Sequence, residues 1–356
     1  MSQEFDRRTM LRCGLAAGAT LLSAKAAFAA APVPDPYLQY VNPELRPVAA
    51  QIMQYFSGQA PLSMATLPQQ RMRMESYQSP PLADVPWERK VISGVPGQPD
   101  VTIYVINANA GAARPGILYT HGGGFVMGSA KSSLMAMQEL CRKLDCAVVA
   151  VEYRLAPETT YAGSIEDNYA GLKWLHDHAA EIGVDPARIA ILGESAGGGH
   201  AALLAITARD RNEVPVAFQC LMYPMLDDRT GTTRPAPPHA GHIIWTAQQN
   251  HFGWKAFLGM EPGGKNVPVR AVPARTKNLA GLPPAFIGVG AIDLFHDEDV
   301  EYARRLNDAD VPTELIVVPG AFHAFDATPS PGPLSRWFTD AKLDALRRGL
   351  GIPQPG

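Results

Sequence analysis

Arg188-Ile-Ala-Ile-Leu-Gly-Glu-Ser-Ala-Gly-Gly-Gly199 decides how this chain is read. Ile189 to Leu192 form a short apolar run of the kind buried in a parallel sheet, and Gly198 to Thr207 form a small-residue apolar run that suits a helix. Between them Gly193-Glu194-Ser195-Ala196-Gly197 must turn strand into helix within a few residues. Glycine on either side of the serine lets the two elements approach closely, and the serine is left on a strained turn at the top of the sheet. G-x-S-x-G alone is a weak match; set between a strand and a helix it has meaning.

Working outward, strand-like and helix-like segments alternate. Glu88 to Ser93 and Asp100 to Asn107, joined by the turn signal Gly94 to Gly97, read as an antiparallel opening pair. Gly116 to Thr120, Ala147 to Glu152, Ile189 to Leu192, Ala217 to Tyr223, Ala285 to Val289 and Glu314 to Val318 follow as strands. Helices are expected over Ser132 to Leu144, Ser164 to Ala180, Gly198 to Thr207, Asp299 to Asp308 and Leu334 to Leu350. The sum is an α/β fold, a mostly parallel eight-stranded sheet with helices on both faces. Residues 228–282 break the alternation with many prolines and glycines and one helical stretch near Ile243 to Leu258, too long for an ordinary loop and read as a cap insertion. Residues 41–75 fit short helices ahead of the sheet, candidates for part of a lid. The organisation is a leader (1–29), a linker with cap helices (30–85), a core in two parts (86–227 and 283–356) and the insertion (228–282).

Composition narrows the function. The chain has 356 residues, 46% hydrophobic, with 31 Lys and Arg against 34 Asp and Glu, a net charge of −3 and no basic stripe, which argues against nucleic acid as a partner. No apolar run reaches the ~20 residues of a membrane span. Met1 to Ala29 combines Arg7-Arg8, an alanine-rich run and the small-x-small site Ala27-Phe28-Ala29, so a twin-arginine export signal and a periplasmic or secreted destination are expected. An amphipathic N-terminal helix is the alternative, favoured slightly by Lys25. Outside the leader the cysteines are Cys141, Cys146 and Cys220, suited to buried free thiols, with a Cys141–Cys146 pair left open.

A serine hydroxyl attacks only after a base takes its proton, and the base needs orienting. In open parallel sheets chemistry gathers at the carboxyl ends of strands. Of nine histidines, His323 lies just past the last strand, and Asp293 lies just past the strand before it. This sets nucleophile, acid and base in the order Ser195, Asp293, His323. His296 and Asp297 belong at the start of the next helix, and His200 sits five residues into the nucleophile helix. His176 and His178 are two apart on a helix, a poor metal pair, and no cluster has metal-site spacing. The run Gly122-Gly123-Gly124 lacks the lysine of a phosphate loop; after a strand it frees backbone N–H groups to face a developing oxyanion. Gly122 and Gly123, with the amide of Ala196, are the candidate donors.

These pieces resemble the hormone-sensitive-lipase-like, HGGG-loop (family IV) bacterial carboxylesterases of the α/β-hydrolase superfamily. The matching stretches are His121-Gly-Gly-Gly-Phe-Val-Met-Gly128, Tyr153-Arg-Leu-Ala-Pro-Glu158, Glu166-Asp167, Gly193-Glu-Ser-Ala-Gly-Gly198, Asp293-Leu294 with Asp297-Glu298, and His323. The resemblance implies an α/β-hydrolase fold with a helical cap, and it assigns the same triad and oxyanion residues. It also implies a monomer, or a homodimer through the edge of Glu314 to Val318. The chain departs from the family in Thr159 to Ser164, in Glu194 where Asp or Thr is commoner, and in His-Ala-Phe at the base.

The expected reaction is two-step hydrolysis of a small-molecule ester through an acyl-enzyme, with no metal or organic cofactor. Short- to medium-chain or aryl esters suit a capped apolar pocket. Its expected lining is Phe125, Met127, Tyr55, Phe56, Ile243, Ile244 and Trp245, each equally suited to core packing. An amidase or lactonase would use the same residues, and a non-catalytic binding protein is the alternative outside enzymes.

Overall fold

Alternate residues of the central strands are apolar on both faces, so the sheet can be buried only between two helical layers. The computed structural model, which describes residues 35–76, 79–328 and 331–354, has that arrangement. Its strands are β1 (Trp87–Ile92), β2 (Val101–Ile106), β3 (Arg114–Thr120), β4 (Ala147–Glu152), β5 (Val184–Glu194), β6 (Phe218–Met222), β7 (Ala285–Gly290) and β8 (Thr313–Val318). They form one eight-stranded sheet in the order β1-β2-β4-β3-β5-β6-β7-β8. β2 pairs antiparallel with both β1 and β4, and every later pairing is parallel.

Period-two alternation assigns each strand side chain to a layer. Val148 and Ala150 of β4 join the core under helices α3 (Leu134–Leu144) and α9 (Pro333–Leu350). Ala147, Val149 and Val151 join the opposite core, under α4 (Tyr161–Asp177), α6 (Ala196–Arg211) and α8 (His296–Asp308). A third apolar cluster lies above the sheet and combines Leu62 and Leu67 from the N-terminal region with Trp254, Phe257 and Leu258 of α7 (Ala247–Leu258). Helices α1 (Arg46–Ser57), α2 (Leu67–Glu75) and the short α5 (Ala179–Ile182) complete the set.

Most expected elements are found within a few residues. Two boundaries move for local reasons. Strand β5 begins at Val184, which pairs with Arg114 ahead of a bulge, and regular pairing resumes at Gly116 and Ile189. Helix α7 begins at Ala247, not near Ile243, because Thr246 caps it: its hydroxyl accepts from the Gln249 amide while the Gln249 side chain accepts from the Thr246 amide. Cys141, Cys146 and Cys220 are buried free thiols. The leader (1–29) lies outside the described residues, and among those described no helix is long and apolar enough to cross a membrane.

Candidate active site

At the carboxyl end of β5 the chain reverses into α6 through Ser195, whose φ of 58° and ψ of −125° are sparsely allowed for a side-chain-bearing residue. The turn holds because its neighbours are small. A Cβ on Gly197 would lie 2.1 Å from the Thr120 carbonyl oxygen, and one on Gly193 2.1 Å from that of Gly197. The Ser195 amide donates to the Met222 carbonyl (2.9 Å), which fixes the elbow to the end of β6.

Two more strand ends bring partners to this serine. Past β8, His323 is 3% exposed and its Nε2 lies 2.9 Å from Ser195 Oγ. Past β7, Asp293 is fully buried and its Oδ2 lies 2.8 Å from His323 Nδ1. The other carboxylate oxygen accepts from the Phe295 amide at 2.9 Å, so the carboxylate cannot rotate away. A carboxylate only accepts, so Nδ1 carries the proton and Nε2 is free to receive one from the serine. Tyr223 and Phe295 meet the imidazole edge-on at 5.0 and 5.1 Å and confine its plane. Ser195, Asp293 and His323, 128 residues apart at the widest, thus form one hydrogen-bonded run.

The glycine loop lies against this run. A Cβ on Gly122 would come within 3.3 Å of Ser195 Cβ, and Gly123 has φ of +126°, open only to glycine. Neither amide donates to a backbone carbonyl among the described residues. Ala196 opens α6, where the first N–H groups have no partner inside the helix. His121 holds the loop from beneath: it stacks on Tyr153 at 4.1 Å, and its Nδ1 lies 2.9 Å from the Gly122 carbonyl. Burial lowers its pKa to about 4, against the opposing Gly122 contact.

In front of Ser195 and His323 opens a cavity of about 290 Å³. Tyr55, Phe56, Met127, Ile244 and Trp245 line it. Phe125 and Ile243 do not. Phe125, at φ of 67°, turns its ring away to stack on Phe257 at 4.0 Å, and Ile243 packs into the core beneath the sheet end. Glu194, Tyr119, Tyr223, Asp326 and Lys342 also line the cavity, and their convergence was missed in the sequence. One signal was available: Lys342 lies four residues from both Phe338 and Leu346, which places a lysine on the buried stripe of α9.

A family model described as the alpha/beta hydrolase fold matches residues 117–327. Esterase LipI of Mycobacterium tuberculosis is 36% identical over 237 residues, covering 66% of this chain and 73% of LipI. Carboxylesterase NlhH of the same organism is 32% identical over 298 residues, covering 79% of this chain and 88% of NlhH. Among solved structures, a bacterial heroin esterase superposes with a TM-score of 0.78 at 36% identity, covering 88% of this chain and 99% of that one. The chain belongs to the α/β-hydrolase-fold family and is a carboxylesterase of the serine-hydrolase type.

In this carboxylesterase the remaining motif residues hold backbone in place. Arg154 pairs with the buried Asp167 at 2.8 Å and fixes the start of the loop after β4. Glu166 pairs with Arg211 at 2.6 Å, tying α4 to α6. Glu298 accepts from the amides of Leu226 and Asp227 at 2.6 and 3.2 Å and braces the chain past β6. His296 and Asp297 pair with each other at the start of α8, away from the serine. His200 is buried against Phe125, Tyr153 and Phe257 rather than near the Ser195 hydroxyl. His178 stacks on Trp174 at 4.7 Å, and its Nδ1 lies 3.1 Å from the Trp174 carbonyl oxygen.

Proposed function

We propose that this carboxylesterase is of the hormone-sensitive-lipase-like, HGGG-loop kind and cleaves short- to medium-chain or aryl esters through an acyl-enzyme. His323 takes the Ser195 proton as the hydroxyl attacks the ester carbonyl. The oxyanion rests on the amides of Gly122, Gly123 and Ala196, each donor worth about 3 kcal/mol. The imidazolium, steadied by Asp293, protonates the leaving alcohol; water then repeats the sequence and frees the acid. The observation that carries this reading is the hydrogen-bonded run from Asp293 through His323 to Ser195, opening on a cavity beside free glycine amides.

The capped cavity supports the substrate range: its apolar wall of Tyr55, Phe56, Met127, Ile244 and Trp245 suits an uncharged acyl or aryl group, and its volume limits chain length. A fluorophosphonate probe should label the wild type and leave Ser195→Ala unlabelled, and p-nitrophenyl esters from C2 to C12 should give a maximum at the short end. Labelling of Ser195→Ala, or its full turnover, would overturn the assignment. The twin arginines Arg7-Arg8 support export of the folded protein to the periplasm or beyond. The outer edge of β8, paired on one side by β7, supports a homodimer alongside the monomer.

A further inference from the structure

Glu194 departs from the residues commonest beside such a serine, and the triad has no use for it. Its carboxylate faces the cavity together with groups from three other parts of the chain. Lys342 of α9 donates to Glu194 Oε1 at 3.3 Å, and the Tyr119 hydroxyl of β3 lies 3.4 Å from Glu194 Oε2 and 3.3 Å from Ser133 Oγ. Asp326, on the turn after His323, faces the Tyr223 hydroxyl with its carboxyl, and its Oδ1 is shielded from solvent and has no partner within hydrogen-bond geometry. All of them line the cavity that holds Ser195 and His323.

These contacts are long for charged groups, and the set is unfinished: an ammonium with one side-chain partner at 3.3 Å and a carboxylate oxygen with none. Burying such groups without partners is costly, and a substrate atom that completes them regains that cost. Burial would lower the Lys342 pKa, but Glu194 and Asp326 outweigh it and raise it, so the ammonium stays charged. An incoming cation has no lone pair to accept from that ammonium and would leave it without a second partner. A hydroxyl fits both demands, because it accepts from an ammonium and donates to a carboxylate.

The side of the ester follows from the proton's path. The leaving oxygen must approach His323 Nε2, and the chain just past His323 supplies Ala324, Asp326 and Ala327 to the cavity wall. The oxyanion donors lie on the glycine loop and at the first residue of α6. We propose that the polar end formed by Glu194, Lys342, Asp326 and Tyr119 binds a hydroxyl on the leaving alcohol, so that monoesters of polyols are preferred substrates. This rests on the serine mechanism proposed above.

The test compares glycerol 1-monobutyrate with propyl butyrate, which share the acid and the three-carbon alcohol, by titrating butyrate released. Wild-type kcat/KM should favour the glycerol ester by about tenfold, the scale of one added hydrogen bond to a charged group. Lys342→Met and Asp326→Asn, on separate elements, should each lower that ratio severalfold, chiefly through KM for the glycerol ester. The ratio is insensitive to a general loss of activity, because both esters share the reacting atoms. A wild-type ratio near one would overturn the proposal. So would an unchanged ratio in both variants, or preference for butyrylcholine over both esters, which would mark a cation site. Absence of turnover on every ester would instead overturn the serine mechanism itself.

Discussion

Asp293 donates nothing, yet the site depends on its being a carboxylate. Both oxygens are committed, one to His323 Nδ1 and one to the Phe295 amide. Asp293→Asn keeps the shape but offers an N–H where an acceptor is needed, so the imidazole is held in the wrong tautomer. Turnover should fall about 10⁴-fold with little change in Tm, measured by p-nitrophenyl butyrate hydrolysis and a thermal melt. His200 gives a second prediction at this scale. Burial, assisted by His121, pushes its pKa down to about 3, so the folded state refuses a proton that the unfolded state accepts below pH 6.5. That difference costs stability as pH falls from 6.5 toward the folded value. The buried carboxyls Glu298 and Asp299, raised by burial, act in the opposite direction. Comparison with His200→Gln isolates the histidine: between pH 7 and pH 5 the wild type should lose about 2 kcal/mol more than the variant in urea unfolding.

At the scale of elements, the strand ends carry the serine, acid and base, while the surrounding segments decide the pocket. Helix α7 shows how Trp245, just ahead of it, is brought to the cavity. Thr246 and Gln249 start the helix, Asn250 accepts from the Trp245 indole at 3.1 Å and donates to the Thr230 carbonyl at 2.8 Å, and Trp245 is thereby held against the site. Thr246→Ala should cost about 1 kcal/mol in a denaturant melt and raise KM for short esters as the indole loosens. The helical stretch was legible from its apolar spacing; its first turn was not, because Ile243-Ile244-Trp245 is apolar enough to extend the pattern. Ile244 at φ of 67° is excluded from a helix by backbone geometry that no propensity reports. Phe125 is a similar case: adjacency to the glycine loop placed it near the pocket, and a left-handed backbone turned it into the core.

For the whole molecule, the N-terminal region and the sheet must act as one body for the cavity to have a roof. Arg71 of α2 is the main tie, donating to the Val126 and Ala156 carbonyls at 2.7 and 2.8 Å and in a fork to Glu158 at 2.6 and 2.8 Å. Farther along, the Asn42 amide donates to the Gly320 carbonyl at 2.8 Å, three residues before His323, and Tyr37 stacks on His242, between β6 and β7, at 3.5 Å. Arg71→Ala removes the side chain that, among the described residues, bridges α2 to those two carbonyls. KM should rise severalfold while kcat changes less, since the cavity wall loosens and the triad stays put; steady-state kinetics on p-nitrophenyl butyrate checks it.

The sequence by itself determined the sheet, its two helical layers and the candidate triad. Those follow from short-range rules: period-two and period-3.6 apolar patterns fix the elements, glycines permit the elbow, and a parallel sheet puts successive loops on one edge. Tertiary structure alone decided which side chains share the cavity. Glu194, Lys342, Asp326 and Tyr119 come from four separate segments, and no local pattern in any one of them encodes distance to the others. A pocket wall is set by long-range packing and by the direction each backbone gives its side chain, and both exist only once the chain has closed on itself.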